Sequence, residues 1–422
     1  MNIAIAGYGL EGKSNFAYFS RRGHTLTIID ERAVLNDAPM GVPTRLGTEA
    51  FKNLGDFDMV IRTASMSPAK LAGAKKIWSA TNEFFAGCPA PIIGVTGTKG
   101  KGTTASLIAS ILRAAGRKVH LIGNIGVPPL DVLDKVKPDD IVVYELSSFQ
   151  LWDIQKSPHI AVVLMIEPDH LEVHADFEDY VGAKANIVRF QSDQDTVVYN
   201  QHNHYSRSIA KSSNANKIPY PDKAFAHVKD QNFYYGEQKL CPASTLQLPG
   251  QHNIENACAA IDVTWILTQD IKAIQTGLET FKGLPHRLQL IRTIGKVRFY
   301  DDSYSSAQRA TQVAIAAFAD PVVLIAGGYD RGLDYTDLAA AIIAQPNIKK
   351  VMLIGQTALK IAAKLPSEIV EIQHDFTEAI HQAYDVAKPE GIVLFSPGCA
   401  SFDMFKNFTE RGEAFQQIVR AL

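Results

Sequence analysis

The stretch Gly97-Thr98-Lys99-Gly100-Lys101-Gly102-Thr103-Thr104 interleaves glycine with lysine and closes on two hydroxyls. It follows the apolar run Ile92–Thr96, which reads as a strand, and precedes residues that read as a helix from 105 to about 115. A glycine-rich turn between strand and helix lets backbone N–H groups surround phosphate oxygens. Lys101 at its end reaches the β and γ oxygens, and a threonine hydroxyl faces a divalent cation. The chemistry implied is binding of ATP with Mg2+, for which Mn2+ can substitute. The general Walker pattern is broken twice, by Val95 where its first glycine belongs and by Gly102 where its hydroxyl residue belongs. Thr103 and Thr104 can supply that hydroxyl, and the agreement of strand, loop and helix argues against a mere surface turn.

A second phosphate signature opens the chain. Residues 3–6 read as a strand, Gly7-Tyr8-Gly9-Leu10-Glu11-Gly12 as the turn, the stretch to Arg22 as a helix, and residues 25–29 as a second strand ending at Asp30. That order is the dinucleotide fingerprint in its required context: the glycines let backbone approach a diphosphate, and the helix N-terminus stabilises its charge. Asp30 can accept hydrogen bonds from a ribose or a base. The bland alternative is a tight turn and nothing more.

Between these signatures and the C-terminus lie residues suited to a cation. Residues 141–144 read as a strand ending in Glu145, and residues 161–166 run out into Glu167-Pro168-Asp169-His170. Lys184 sits in a helical stretch, 179–190. Singly, such a glutamate is a solvated cap, the histidine a packing residue and the lysine an exposed charge. Downstream of a phosphate loop the combination points to a metal site. Further on, Asn253 and Asn256 share one face of an alanine-rich helix, where they present amides to a base or simply cap the helix.

These residues need a scaffold, and the chain is long enough to supply one. At about 150 residues per domain, 422 residues predict two or three domains. A hydrophobic share of 46% supports several cores. Forty-two basic against forty-four acidic residues give no broad field to recruit nucleic acid. No run approaches the ~20 apolar residues of a membrane helix, and the N-terminus carries no secretory pattern. The four scattered cysteines suggest neither a disulfide framework nor a zinc site. A cytoplasmic monomer without membrane or nucleic-acid partners is expected. Strands and helices alternate throughout, so the fold class is α/β in three domains. Residues 1–89 form a Rossmann-like domain, 90–283 a central P-loop ATPase-type domain with a mostly parallel sheet, and 284–422 a Rossmann-like C-terminal domain. In the last, the loops Gly327-Gly328-Tyr329-Asp330-Arg331-Gly332 and Ser396-Pro397-Gly398-Cys399-Ala400-Ser401 follow strands, where α/β sheets place their sites.

Several motifs together resemble one family. The phosphate loop is similar to that shared by the Mur ligases and the folylpolyglutamate synthases. Glu145-Leu-Ser-Ser-Phe-Gln-Leu151, Gly123-Asn-Ile-Gly126, Leu284-Pro-His-Arg287 and the run from Ser396 to Phe408 resemble the glutamate-adding branch of the Mur ligases, in order along the chain. The resemblance implies an ATP-dependent ligase that joins D-glutamate to UDP-N-acetylmuramoyl-L-alanine for peptidoglycan synthesis. It places Gly9, Leu10, Asp30, Glu31 and Arg32 near the uridine diphosphate and Asn124 on the muramoyl substrate. ATP falls to Gly97 through Thr104, Asn253, Asn256, Arg287 and Asp302, with His286 nearby. Thr103, Glu145, His170 and a carbamylated Lys184 would hold Mg2+, and Ser306, Arg331, Ser401 and Phe408 would receive the amino acid. The carbamate has a physical reason: an ammonium repels Mg2+, whereas CO2 capture makes it an anion.

The chain also departs from the family. Asp302-Ser303-Tyr304-Ser305-Ser306-Ala307 stands where Asp-Ser-Lys-Ala-Thr-Asn is usual, so Tyr304 removes a cation, and Arg331 replaces a lysine. Arginine keeps the charge but can clamp a carboxylate bidentately. The amino acid, L-glutamate included, is therefore more open than the reaction type. Other readings are a folylpolyglutamate synthase, a nicotinamide oxidoreductase that leaves the second phosphate loop idle, and a non-catalytic nucleotide-sugar-binding protein.

Overall fold

Ile92–Thr96 is buried along its whole length, the pattern of a strand covered on both faces. It lies inside a six-stranded parallel sheet ordered Asn216–Tyr220, Thr196–Asn200, Ile160–Val163, Ile92–Thr96, Ile141–Glu145, Val119–Gly123. The loop after Ile92–Thr96 therefore opens at the same sheet edge as Glu145 and as the segment leading to His170. The computed structural model describes residues 1–123 and 127–422. They form two compact units, one of residues 1–246 with 252–281, the other of 247–251 with 282–422.

The first unit also holds a five-stranded parallel sheet, ordered Thr44–Leu46, Thr25–Asp30, Asn2–Ala6, Met59–Arg62, Ile77–Ser79. Its helix Leu10–Arg21 starts directly after the glycine turn. A fully buried guanidinium joins this sheet to the central one. Arg62 ends the strand Met59–Arg62 and donates to Asp153 at 2.5 and 2.8 Å, to the Phe149 carbonyl at 2.8 Å, and to the carbonyls of Ala64 and Met66 at 3.3 Å. Three antiparallel strands, Ala226–Lys229, Asn232–Tyr235 and Gln238–Pro242, complete the unit.

The second unit is a six-stranded sheet ordered Gln289–Ile294, Lys296–Asp301, Glu390–Phe395, Val322–Gly327, Ile348–Ile354, Val370–Ile372. All its pairs are parallel except the first, a hairpin. Helix Phe376–Ala387 packs on one face with Phe415 and Val419 of the terminal helix Phe408–Ala421.

Three sequence-based boundaries move. The helix expected from 105 begins at Lys101, because Gly100 is its N-cap at φ +84° and puts Lys101 to Thr104 in the first turn. The Gly102 and Thr103 N–H groups thus fall among those that a helix start leaves without an intrahelical acceptor, whereas Thr104 N–H donates to the Gly100 carbonyl at 2.9 Å. The strand expected over 161–166 is Ile160–Val163; Leu164 and Ile166 stay buried, but the segment turns to meet the phosphate loop. The helical stretch 179–190 is an α-helix, Phe177–Ala185, followed by a 3-10 turn, Asn186–Val188.

Helices Lys101–Ala114 and Ile271–Thr280 meet at Gly277, where a methyl group would sit 2.5 Å from Ile111 Cα and 2.7 Å from its nitrogen. Backbone cannot yield as a side-chain tip can. Gly277→Ala should therefore cost about 1–3 kcal/mol in urea denaturation despite the better helix propensity of alanine. Gly182→Ala, in the open face of Phe177–Ala185, should be neutral or slightly stabilising in the same assay.

Candidate active site

The phosphate loop is held open by its own contacts. Thr98 N–H donates to the Met165 carbonyl at 2.8 Å, and the Thr98 hydroxyl bonds Tyr180 Oη and the Glu167 N–H, each at 3.0 Å. Gly100 needs its left-handed backbone, and a side chain there would run into the Asn256 amide. Asn256 Nδ2 donates to Asn253 Oδ1 at 3.2 Å, so both amides lie on one helix face beside the loop. Lys101 Nζ folds back to the carbonyls of Gly97 and Thr98 at 3.1 and 3.0 Å. Lys99 is exposed to solvent and pairs with Asp169 at 3.3 Å.

Lys184 reaches the same loop from beneath. Its side chain is fully buried, its Nζ donates to the Gly97 carbonyl at 2.9 Å, and the Tyr180 ring centroid lies 4.5 Å away. Burial pushes the amine well below the ordinary lysine range, and the charge of Lys101 pushes it further. An ordinary surface lysine is excluded.

Cation chemistry is only partly assembled. Glu145 is buried at its strand end, and Thr104 Oγ1 is buried in the first helical turn without a hydrogen-bond partner. Such an orphaned hydroxyl, in the first turn after a phosphate loop, suits a hard cation that favours oxygen. Thr103, also buried, belongs to the same turn. His170 is half exposed, held at φ +56° and paired with Glu172 at 3.4 Å. Among the described residues no three His, Cys, Asp or Glu side chains form a ready-made metal cage. The residues fit Mg2+ provided that Lys184 does not enter as an ammonium.

At the first sheet, Gly9 caps the helix and Leu10 stands exposed beside it. Asp30 is already engaged: it accepts from Tyr8 N–H at 2.7 Å, and from the backbone and Nε of Arg32 at 2.9 Å. The Arg32 hydrogen bond draws its carboxyl down to about 2. Glu31 pairs with Lys70 at 2.5 Å. Asn124, with Ile125 and Gly126, lies outside the described residues.

In the second unit three loops are knitted together at the strand ends. Gly327 N–H donates to Pro397, Tyr329 N–H to Ala400, and Gly398 N–H to Ser305, at 2.8 to 2.9 Å. Asp302 is buried, accepting from Leu288 N–H at 3.1 Å and Ser396 Oγ at 2.7 Å. Arg287 lies 5.0 Å from the Tyr304 ring, whose edge-on partner is Phe408 at 5.2 Å. Ser401 is buried, whereas Ser306 and Arg331 are exposed. Sequence reasoning missed Arg411, a buried guanidinium that binds the Ser303 and Cys399 carbonyls at 2.9 and 3.0 Å. It also missed His174, buried between Phe149 and Tyr180; its only signal was its spacing of four from His170.

Comparison with known proteins decides the lineage. Residues 95–264 match the Mur ligase middle domain, and residues 286–399 match the Mur ligase glutamate ligase domain. A UDP-N-acetylmuramoylalanine–D-glutamate ligase of Acetivibrio thermocellus is 37% identical over 451 aligned positions, covering 100% of this chain and 96% of the relative. The chain belongs to the Mur ligase family. An enzyme of the same name from Caldanaerobacter subterraneus subsp. tengcongensis is 39% identical over 343 positions, 79% of this chain and 76% of that one. Among solved structures, UDP-N-acetylmuramate-alanine ligase MurC of Thermotoga maritima superposes with a TM-score of 0.61 at 18% identity, covering 100% and 99% of the two chains. A Mycobacterium tuberculosis folylpolyglutamate synthase gives 0.59 at 16% identity, covering 80% of this chain and 94% of that one. At such identities these structures establish the shared fold. The mixed α/β architecture with parallel sheets is that of a Mur ligase.

Burial pushes the Asp302 carboxyl up to about 6, against the hydrogen bonds from Ser305, Ser396 and Leu288. A folded value above the unfolded one means that the native state holds the extra proton, so this stabilisation is present below about pH 4 and lost as pH rises through 6. Asp302→Asn should remove that decline. Between pH 4 and 7.5 the wild type should lose up to about 3 kcal/mol relative to the variant in urea unfolding. Parallel pH profiles would show that Asp302 ionises without cost.

Proposed function

We propose that this Mur ligase joins the carboxylate of UDP-N-acetylmuramoyl-L-alanine to the amine of D-glutamate, with hydrolysis of ATP to ADP and phosphate, in the cytoplasm and as a monomer. The observation that carries the reading is the convergence of Lys101, Lys184 and Asn256 on one phosphate loop in a chain that matches D-glutamate ligases from end to end. In this reading residues 1–89 hold the UDP-sugar, 90–283 the ATP and 284–422 the amino acid.

A carboxylate is a poor acceptor for an amine until it carries a leaving group. Its oxygen attacks the γ-phosphorus, the bond to ADP breaks, and an acyl phosphate results. The amine of the amino acid then attacks the acyl carbon, and phosphate departs as the amine's proton is lost. Both steps depend on positioning and charge neutralisation rather than on a protein nucleophile. Lys101, freed from the Gly97 and Thr98 carbonyls, balances the γ-phosphate charge, and the loop Gly97 through Thr104 surrounds the phosphates, with backbone donors at Gly102 and Thr103. Asn253 and Asn256 present amides to the base, with Arg287 and Asp302 on the nucleotide side of the C-terminal part. Gly9, Leu10, Asp30, Glu31 and Arg32 lie on the uridine diphosphate, and Arg331, Ser306, Ser401 and Phe408 receive the amino acid. Thr103, Thr104, Glu145, His170 and carbamylated Lys184 would hold Mg2+, whose charge offsets that of the phosphates. Because burial makes the amine easier to deprotonate than an ordinary lysine, Lys184 can add to CO2: the nitrogen–carbon bond forms, one proton leaves, and an anion replaces the base.

Phosphate release from ATP and Mg2+ should require both UDP-N-acetylmuramoyl-L-alanine and an amino acid, with D-glutamate preferred to L-glutamate. Release driven by a folate, or by neither substrate, would sink the reading. Lys184→Ala should lose most of this activity while remaining folded, and small carboxylic acids should restore part of it. The wild type in CO2-depleted buffer should gain activity on addition of bicarbonate. Full activity of Lys184→Ala in CO2-free buffer would eliminate the carbamate.

A further inference from the structure

Ser148, His174 and Asp179 form a hydrogen-bonded chain that the assignments above leave unused. His174 Nδ1 lies 2.8 Å from Asp179 Oδ2, and its Nε2 lies 3.0 Å from Ser148 Oγ. A carboxylate can only accept, so it fixes the proton on Nδ1 and leaves Nε2 to accept from the Ser148 hydroxyl. Serine, histidine and acid in this order suggest a hydrolytic triad, but Ser148 and His174 are 1% and 3% exposed, and no substrate could reach them.

The surroundings indicate what the chain does instead. The His174 ring stacks on Phe149 at 5.4 Å with an 11° interplanar angle and meets Tyr180 edge-on at 5.2 Å. Phe149 in turn touches the His170 ring, at 5.0 Å between centroids. The backbone N–H groups of Val173 and His174 donate to the His170 carbonyl at 3.1 and 3.0 Å, closing the turn that keeps His170 in its left-handed conformation. A non-glycine residue stays in that region only where its surroundings over-determine it. Tyr180 carries the same packing to the phosphate loop through Thr98.

We infer that His174 is a positioning residue: locked by Asp179 and Ser148, it fixes the orientation of His170 for the cation through Phe149 and the His170 turn. An apolar side chain would fill the same space without demanding two polar partners, so the cost of burying this network is offset by the orientation it specifies. The inference rests on His170 being a cation ligand, and the experiment separates the two claims.

Mn2+ binding to the complex of the full-length protein with a non-hydrolysable ATP analogue can be followed by the electron paramagnetic resonance signal of the free ion. His170→Ala serves as the reference and should weaken binding. His174→Phe, which keeps the stacking on Phe149 but loses both hydrogen bonds, should weaken it about tenfold or more, in the range measured when partners of metal ligands are removed. Should His174→Phe fail to unfold cooperatively on heating, Ser148→Ala cuts the chain at its other end and should weaken binding several-fold. Weaker binding in His170→Ala with unchanged binding in a folded His174→Phe or Ser148→Ala would overturn the inference alone, even if the melting temperature falls. Unchanged binding in His170→Ala would overturn the ligand assignment itself.

Discussion

An amine hidden from water under a phosphate loop is the constraint on which the candidate site depends. Moving an ammonium into the interior costs several kcal/mol; Lys184 is offered the Gly97 carbonyl and an aromatic ring in direct contact, and Asp169 and Glu145 only as nearby charges. Burial and the nearby Lys101 both draw its pKa down, more than Asp169 and Glu145 raise it. A neutral amine tolerates the crowding of two further lysines around Gly97–Lys101 that an ammonium would resist. The rest of the arrangement follows from where that nitrogen must sit. Tyr180 spans from its ring contact with Lys184 to its hydroxyl contact with Thr98, and the irregular segment after Ile160–Val163 closes the loop from the other side.

The second unit solves a related problem differently. Arg411 cannot shed its proton at physiological pH, although burial draws it down to about 10. It is therefore surrounded by carbonyls: the backbone oxygens of Ser303 and Cys399 come from two of the three loops that meet at the strand ends. The cation holds together the segments that carry Asp302, Tyr304 and Ser401. Tyr304 stands with Arg287 and Phe408 in an exposed aromatic group rather than as the cation usual in the family.

Much of this was legible in the residues. Ile92–Thr96 has the bounds its apolar pattern predicts, and the glycine–lysine run sits between strand and helix as its composition requires. Asn253 and Asn256 share a face because three residues nearly complete a helical turn. What was not legible depends on distant packing. Nothing in the local sequence of Lys184 distinguishes it from a surface lysine; its burial is created by Tyr180 and by strands outside its own helix. His174 gave only a spacing. The hairpin of Ala226–Lys229 and Asn232–Tyr235 was concealed because its two-residue turn, Asp230-Gln231, takes positive φ without glycine or asparagine. The contact of Asp30 with Arg32, two residues on, was likewise not disclosed by their types alone.

The buried guanidinium of Arg62 bears on how the chain assembles. Its partners include Phe149 and Asp153, some ninety residues further along. Without that segment the guanidinium keeps the carbonyls of Ala64 and Met66 but loses its one carboxylate and the Phe149 carbonyl. Residues 89 and 90 lie within one compact unit, and a cut there would separate Arg62 from Asp153. The two sheets thus share one buried ion pair, and the stability of the first is tied to the segment around Phe149 and Asp153.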